Sequence, residues 1–248
     1  MTRARPLASL RWIITGWVAL ALAGCGLFWQ SPEAPVKTVL DKSSCTPDAR
    51  TLLVMLPGAF STPDEFVREG FVAAVQERRL AVDIMRVDAN VAYYRYDMSI
   101  LNHLRDDVFS PARAQGYTSI WVVGISVGGF GGLAYAATHP GDITGIVALA
   151  PYLGERTTSI DIANAGGLSR WQPPTEMLPG DKGEQRLWRW LQRYGGSRKN
   201  MEPSATSATS GLSGTTELPK LYLGFGVDDR FAFSDRLLGP CSPTTMFS

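Results

Sequence analysis

The chain has 248 residues, of which 45% are hydrophobic and 19% are charged, and its formal net charge is +1. This length suits one domain together with an export segment, and the composition is that of a globular protein. Because binding to phosphate backbones requires concentrated positive charge, the near-neutral balance argues against nucleic acid as a partner.

Residues 1–24 are predicted to form a lipoprotein-type signal peptide. A basic segment precedes an apolar run from Trp12 to Ala23, which is shorter than the ~20 residues of a membrane-spanning helix. The run ends in Leu-Ala-Gly followed by Cys25, which resembles the bacterial lipobox. This resemblance implies that Cys25 is lipidated and that the protein is exported and anchored to a membrane, facing the periplasm or the cell surface. In the alternative, an ordinary signal peptide, Cys25 is incidental.

Residues 25–48 are rich in Pro, Ser and Lys, which predicts a tether between the lipid and a domain over residues 49–248. Cys45 and Cys241 could pair in an oxidising compartment, although the segment around Cys241 is unlike the rest of the domain. Neither cysteine has the spacing of a metal ligand, so no metal site is expected.

Strand and helix patterns alternate from residue 51 onward. This alternation predicts an α/β fold with a mostly parallel central sheet and helices on both faces. Residues 152–218 break the pattern and are predicted to be an inserted cap or loop segment. Three tryptophans within it, Trp171, Trp188 and Trp190, are candidates either for an apolar acyl pocket or for the core.

The predicted strands cover 51–56, 80–87, 119–125, 143–150 and 220–225. The predicted helices cover 63–79 (capped by Thr62), 97–115, 130–138, 184–194 and 230–238.

The segment Gly124-Ile125-Ser126-Val127-Gly128 has the G-x-S-x-G pattern, between an apolar strand and a helix rich in small residues. A serine here lies on a sharp turn that projects its hydroxyl from the sheet edge. Such a strained turn leaves little space, which explains the glycines two residues on either side. A glycine-rich structural turn without chemistry is the alternative interpretation.

With this motif, the chain from about residue 51 to 238 resembles the α/β-hydrolase family of serine esterases and lipases. The resemblance implies that Ser126 is the nucleophile. It also implies an oxyanion hole made by the backbone N–H of Val127 and that of Ala59 or Phe60. The substrate it implies is a small-molecule carboxylic ester, and no cofactor is expected. Amide, thioester and peptide substrates remain open, because the same catalytic triad serves each of them.

In this family the acid of the triad follows a late strand. Here the turn after residue 225 aligns best on Asp229, with Asp228 as the alternative. An acid in this place holds the histidine tautomer and stabilises the imidazolium. Capping of the helix that follows is the competing role for either aspartate.

The family's histidine comes after the acid, but His103 and His139, the chain's two histidines, both precede Asp229. The tail from Pro240 has neither a helix nor a strand pattern. The genetic code permits codons for this tail that, regrouped in a shifted reading frame, encode the end of a helix, a turn with a histidine and the start of a strand. We therefore expect a frameshift or truncation near Gly239 that removes the last strand and helix and impairs the enzyme.

Two other functions compete with ester hydrolysis. The absent histidine favours a non-catalytic, lipid-anchored binding protein on the hydrolase fold, or an inactive truncated gene product. The intact motif around Ser126 favours the enzyme, because a site without chemistry does not need a strained turn.

Overall fold

The computed structural model describes Pro32 and residues 34–95, 98–173, 183–197 and 218–238, and of residues 195–197 it describes the backbone alone. All elements described below lie within the unit Glu33–Ser248. The predicted signal peptide, Cys25, residues 174–182 and 198–217 of the predicted insertion and the tail from Gly239 lie outside the described residues. Within the described part, no helix is long and apolar enough to cross a membrane.

The centre of the domain is a six-stranded sheet with the order β1-β3-β2-β4-β5-β6. All neighbouring strands run parallel except β1, which pairs with β3 in the antiparallel sense. The predicted mostly parallel sheet is therefore confirmed. The strands are β1 (Thr38–Asp41), β2 (Thr51–Leu56), β3 (Val82–Val87), β4 (Ser119–Ile125), β5 (Gly145–Leu149) and β6 (Lys220–Gly224).

Helices connect the strands and cover the sheet, as the alternation of patterns predicts. A 3-10 turn (Val91–Tyr94) precedes the long helical connection to β4, whose middle is a π-helical stretch (Leu104–Phe109). The α-helices are α1 (Glu65–Arg68), α2 (Phe71–Glu77), α3 (Ile100–His103), α4 (Ser110–Ala114), α5 (Val127–Thr138), α6 (Arg156–Asn164), α7 (Gly183–Ser197) and α8 (Ala232–Arg236).

The two faces of the sheet carry two separate hydrophobic clusters. In β4, Ile120 and Val122 belong to the larger cluster and Val123 to the smaller one. Helix α5 lies directly on the larger face, because a Cβ at Gly132 would come within 2.8 Å of Val122 Cγ1. Burial from both sides explains why β2, β4 and β5 are apolar after their first residue rather than alternating.

The predicted tether over residues 25–48 is wrong for its last part. Val36 is only 4% exposed, and β1 pairs with β3 from Thr38 opposite Val87 onward. The Arg86 side chain in β3 donates to Asp41 Oδ2 over 2.7 Å, which ties the strand down further. The strand escaped prediction because β1 is a short edge strand whose side chains are mostly exposed, so its sequence has no apolar run.

The predicted helix over 63–79 is divided in two at Gly70, which has a φ of 78°. Thr62 does not cap it with its side chain: its backbone carbonyl accepts from Glu65 N–H, and α1 begins after Asp64. Helix α6 was not predicted from the sequence. Its stability depends on a residue outside its own segment, as described next.

The buried carboxylate of Glu184, in α7, holds the beginning of α6. Its Oε2 accepts from Glu155 N–H and its Oε1 from Thr158 Oγ1, both over 2.8 Å. A negative charge at this position satisfies free N–H groups and complements the helix dipole. The segment after β5 is therefore fastened to α7 rather than left as a loop.

The three tryptophans of the predicted cap belong to the core. Trp188 is fully buried and donates from Nε1 to the Leu153 carbonyl over 3.0 Å, while Trp190 is 6% and Trp171 7% exposed. The core interpretation of these tryptophans is therefore confirmed.

Candidate active site

Ser126 occupies the turn between β4 and α5, with φ of 54° and ψ of −116°. A non-glycine residue rarely adopts such angles, which cost about 1–3 kcal/mol. Hydrogen bonds hold the turn on both sides. Ser126 N–H donates to the Leu149 carbonyl over 3.0 Å, and the Ser126 carbonyl accepts from Phe130 N–H over 3.1 Å and from Tyr152 N–H over 3.0 Å. The strained strand-to-helix turn predicted from the sequence is present.

The glycines on either side of Ser126 are required by close backbone contacts. A Cβ at Gly128 would lie 2.6 Å from the Pro57 carbonyl oxygen and still closer to that of Leu56. A Cβ at Gly124 would lie 2.5 Å from the carbonyl carbon of Gly128. The first turn of α5 therefore rests on the carboxyl end of β2.

The loop after β2 lies beside Ser126. A Cβ built on Gly58 would lie 3.9 Å from Ser126 Cβ, and Ser61 N–H donates to the Gly58 carbonyl over 3.2 Å to close the loop. Ala59 is half-buried and Phe60 is 85% exposed. On the other side of Ser126, Val127 opens α5, where N–H groups have no partner within the helix. The segments predicted to carry oxyanion donors are thus adjacent to the serine.

Asp229 lies in the turn that follows β6. Its N–H donates to the Gly226 carbonyl over 3.1 Å, and its Oδ1 accepts from Phe231 N–H over 2.7 Å. Asp228 is exposed. Asp229 therefore organises the turn before α8, the local role that the sequence allowed for either aspartate.

Tyr152, which sequence reasoning missed, connects the serine turn to the aspartate turn. Its N–H bonds the Ser126 carbonyl, and its ring packs edge-on against Phe130 at 5.8 Å and Phe231 at 5.7 Å. Burial raises the pKa of the Tyr152 hydroxyl. Its position soon after a predicted parallel strand could have identified it, since functional residues are common at the carboxyl edge of such a sheet.

Asp235, in α8, is a second carboxylate near this turn. It has no exposed surface, and neither oxygen has a hydrogen-bond partner among the described residues. Burial, and to a lesser extent the charge of Asp229, raises the pKa of Asp235 to about 8. The sequence gives no sign of this, because an aspartate in a short helix is ordinarily exposed.

Both histidines have partners elsewhere. His103 Nδ1 lies 2.8 Å from Asp107 Oδ2, which also accepts from Val36 N–H at the β1 side of the sheet. His139 stacks on Tyr135 and follows the last residue of α5, a helix of 12 residues and so about 18 Å long. Ser126 Oγ therefore has no imidazole partner in the described part of the chain.

Metal ligation finds no support in these residues. Within the described ranges, no three His, Cys, Asp or Glu side chains are grouped so that they could hold a metal ion. Cys45 is a free, exposed cysteine whose Sγ lies 3.3 Å from Ser43 Oγ. What the site offers is a serine on a strained turn, next to the start of α5 and to the loop after β2.

We expect Gly128→Ala to lower the free energy of unfolding by about 2–3 kcal/mol or to prevent folding, because the new Cβ meets backbone carbonyls that cannot rotate away. Urea unfolding measures this. The matched control is Gly183→Ala, since a Cβ at Gly183 meets nothing within 4 Å. Equal midpoints for the two variants would show that α5 does not rest on β2 as described.

We expect Asp235→Asn to remove a pH dependence of stability. The folded pKa of about 8 lies above the ordinary 3.8, so the folded chain holds a proton that the unfolded chain releases as the pH rises from about 4 to 8. Wild-type stability falls over that interval for this reason. The variant lacks this loss and is more stable than wild type by at least about 2 kcal/mol at pH 8.

Urea unfolding of both proteins at pH 5 and pH 8 measures this difference. Asp161→Asn, at an exposed position of α6, is the control, and its free energy of unfolding is expected to change with pH as in wild type. If the Asp235 variant also shows the wild-type change with pH, Asp235 is ionised in the folded protein and has hydrogen-bond partners there.

Comparison with known proteins identifies the fold. No protein-family model matches the chain, and no curated protein sequence matches it. Among solved structures, Est1E from Butyrivibrio proteoclasticus is 15% identical with a TM-score of 0.52, covering 86% of this chain and 84% of its own. The monoacylglycerol lipase of Paleococcus ferrophilus is 15% identical with a TM-score of 0.51, covering 86% of this chain and 88% of its own. This chain therefore has the α/β-hydrolase fold.

Proposed function

We propose that this protein is a serine hydrolase that acts on a small-molecule carboxylic ester, with Ser126 as the nucleophile. The observation that carries the proposal is the strained backbone of Ser126 between two glycines that admit no side chain. Strain of this kind persists only where the surrounding structure enforces it, and it is concentrated at functional sites. The esterase and the lipase that share the fold support the same chemistry.

In the proposed reaction, Ser126 Oγ attacks the acyl carbon of the ester. The negative charge that develops on the carbonyl oxygen is stabilised by the N–H of Val127 and by that of Ala59 or Phe60. Two such donors contribute several kcal/mol at this stage, since they point at charge that appears only in the transition state. The alcohol then leaves with the proton that the Ser126 hydroxyl gives up, and water hydrolyses the acyl-enzyme to release the acid and restore the hydroxyl. This assignment of the donors is supported by the nearness of the loop after β2 to the serine, since a Cβ on Gly58 would lie 3.9 Å from Ser126 Cβ.

Asp229 is the proposed acid of the site. Its Oδ1 is engaged with Phe231 N–H, which leaves Oδ2 to accept from an imidazole. Asp228 is exposed and less suited to this role, because a screened carboxylate stabilises an imidazolium weakly. The packing of Tyr152 on Phe231 supports Asp229, since it ties the aspartate turn to the serine turn.

The base is the part of the triad that this chain does not place at Ser126. A serine hydroxyl is a weak nucleophile until a base takes its proton. Since both histidines are engaged elsewhere, we propose that the 248-residue chain turns over esters slowly. The oxyanion donors and the binding of substrate supply the activity that remains.

We expect free imidazole to raise ester turnover by the chain roughly tenfold, because it can supply part of the 10²–10⁴-fold that a positioned base contributes. The measurement is hydrolysis of p-nitrophenyl butyrate with and without imidazole. Ser126→Ala gives the rate of imidazole alone and is subtracted. Ser110→Ala, at an exposed serine of α4, is the matched control and keeps the imidazole response.

If Ser126→Ala hydrolyses the ester as fast as wild type in both conditions, Ser126 is not the nucleophile. That result favours the second candidate, a non-catalytic binding protein on the hydrolase fold. The observation in its favour is the engagement of both His103 and His139 away from the serine.

We further propose that the protein is exported and held on a membrane by lipid on Cys25. The support is the order of a basic segment, an apolar run and a small-small-Cys ending in residues 1–25. Each buried methylene of an acyl chain contributes about 0.8 kcal/mol, so several acyl chains on one cysteine give stable anchoring.

We expect the full chain, expressed in a bacterium, to appear in the membrane fraction with a lipid mass on Cys25. Cys25→Ser is expected to lose both, since serine offers no thiol for the lipid. Cys45→Ser is the control and stays with the membrane, because Cys45 is an exposed cysteine of the domain. Wild-type protein without the lipid mass would refute the anchor.

A further inference from the structure

The chain enters the sheet at the same edge that carries Ser126. Strands β2 to β6 are parallel, so their carboxyl ends share one edge, here called the carboxyl edge, and β4 leads into Ser126 there. Strand β1 runs antiparallel to β3 and therefore begins where β3 ends, with Thr38 opposite Val87. Just before β1, the Lys37 carbonyl accepts from Asp88 N–H over 2.8 Å. The first strand is thus attached at the carboxyl edge.

This entry point limits how an anchor on Cys25 can hold the domain. Val36 is 4% exposed and its N–H donates to Asp107 Oδ2 over 2.9 Å, so the chain is fixed to the domain at this residue. The stretch from Cys25 to Val36 spans at most about 40 Å when fully extended. The opposite, amino edge of the sheet lies a further ~20 Å away, since each residue of a strand advances about 3.3 Å. Attachment here therefore favours orientations that turn the carboxyl edge toward the membrane.

Two apolar side chains lie on turns at this edge. Phe60 is 85% exposed and occupies the turn Gly58–Ser61 after β2, which a hydrogen bond of 3.2 Å closes. Val227 is 70% exposed and occupies the turn Gly226–Asp229 after β6, which a hydrogen bond of 3.1 Å closes. Among the described residues, these are the two most exposed large hydrophobic side chains. Both therefore offer apolar surface at the edge where the anchored segment enters.

Proximity to a bilayer changes what these side chains contribute. Scattered exposed apolar residues are ordinary on a protein in water. Once lipid holds the domain near a membrane, however, residues at the attached edge meet the lipid surface at a high effective concentration. Transfer of an exposed Phe side chain out of water then favours the docked orientation by roughly tenfold or more.

The charges beside the two turns have both signs. Asp228 and Arg230 are both exposed next to Val227, and Asp64 is exposed soon after Phe60. A surface of mixed charge is not drawn to anionic lipid by concentrated positive charge. Docking at this edge therefore depends on apolar contact, and a neutral phospholipid surface suffices.

We propose that the carboxyl edge docks against the phospholipid surface that holds the lipid on Cys25, with Phe60 and Val227 inserted at the interface. The inference rests on the anchor under the proposed function and goes beyond it by assigning the face of the domain that meets the membrane. Because Ser126 lies at the same edge, docking turns the proposed ester site toward the membrane.

The test measures lipid contact at single positions of the full chain. A nitrobenzoxadiazole dye is attached to Phe60→Cys, Val227→Cys or Thr118→Cys in a background with Cys45→Ser and Cys241→Ser, and the protein is reconstituted in phosphatidylcholine vesicles. We expect nitroxide-bearing acyl chains to quench the dye at positions 60 and 227 by about half or more, since interfacial groups lie about 5–10 Å into the boundary of headgroups and acyl chains. The dye at position 118, exposed at the amino edge before β4, is not quenched.

A second variant tests whether the apolar side chains cause the docking. With the dye at position 227, Phe60→Ser is expected to weaken the equilibrium for docking about tenfold and so to reduce the quenching, because the Phe side chain no longer leaves water. Leu80→Ser is the matched control, since Leu80 is an apolar residue that is 45% exposed and precedes β3 at the amino edge. It is expected to leave the quenching unchanged.

The outcomes separate this proposal from the anchor and from the hydrolase. Protein that carries the lipid mass on Cys25 but shows no more quenching at positions 60 and 227 than at position 118 would overturn the docking, as would quenching that Phe60→Ser leaves intact. Protein without the lipid mass would refute the anchor, and the docking with it. Failure of the hydrolase proposal is seen separately, as ester turnover that does not depend on Ser126.

Discussion

The close contact between the start of α5 and the end of β2 determines most of this structure. Because Gly128 has no side chain, its backbone rests against the carbonyl groups of Leu56 and Pro57. The strained backbone of Ser126 lies two residues before this contact, and a Cβ on Gly58 would lie 3.9 Å from Ser126 Cβ. The proposed nucleophile and the segments that carry the proposed oxyanion donors therefore lie together where α5 meets the end of β2.

Buried polar side chains hold the remainder of the site in place. Glu184 fastens the segment after β5 by accepting from the start of α6, and Tyr152 of that segment packs against the aspartate turn. Asp235 is different, because it is buried and its oxygens have no partner among the described residues. Burial of such a group costs more when it is ionised than when it is protonated, which agrees with its raised pKa.

The parts of the fold that follow from short-range patterns could be predicted. The strand Ser119–Ile125 coincides with its predicted bounds, because a run buried on both faces is apolar throughout. The edge strand β1 and helix α6 could not be predicted from the sequence, since each depends on partners far along the chain. β1 pairs with Val87 and its neighbours, and α6 begins on the carboxylate of Glu184, which is 29 residues from Glu155.

The sequence by itself determined the parallel sheet and the strained turn at Ser126. It also determined that both histidines precede Asp229, whereas the family's histidine is expected after it. These features are local, since apolar runs, glycine spacing and residue order need no knowledge of the fold. Only the tertiary structure decided that Gly58 lies against Ser126, that Tyr152 connects the two turns and that Asp235 is buried. Each of these depends on how separate segments pack, and packing distances are not encoded in any one segment.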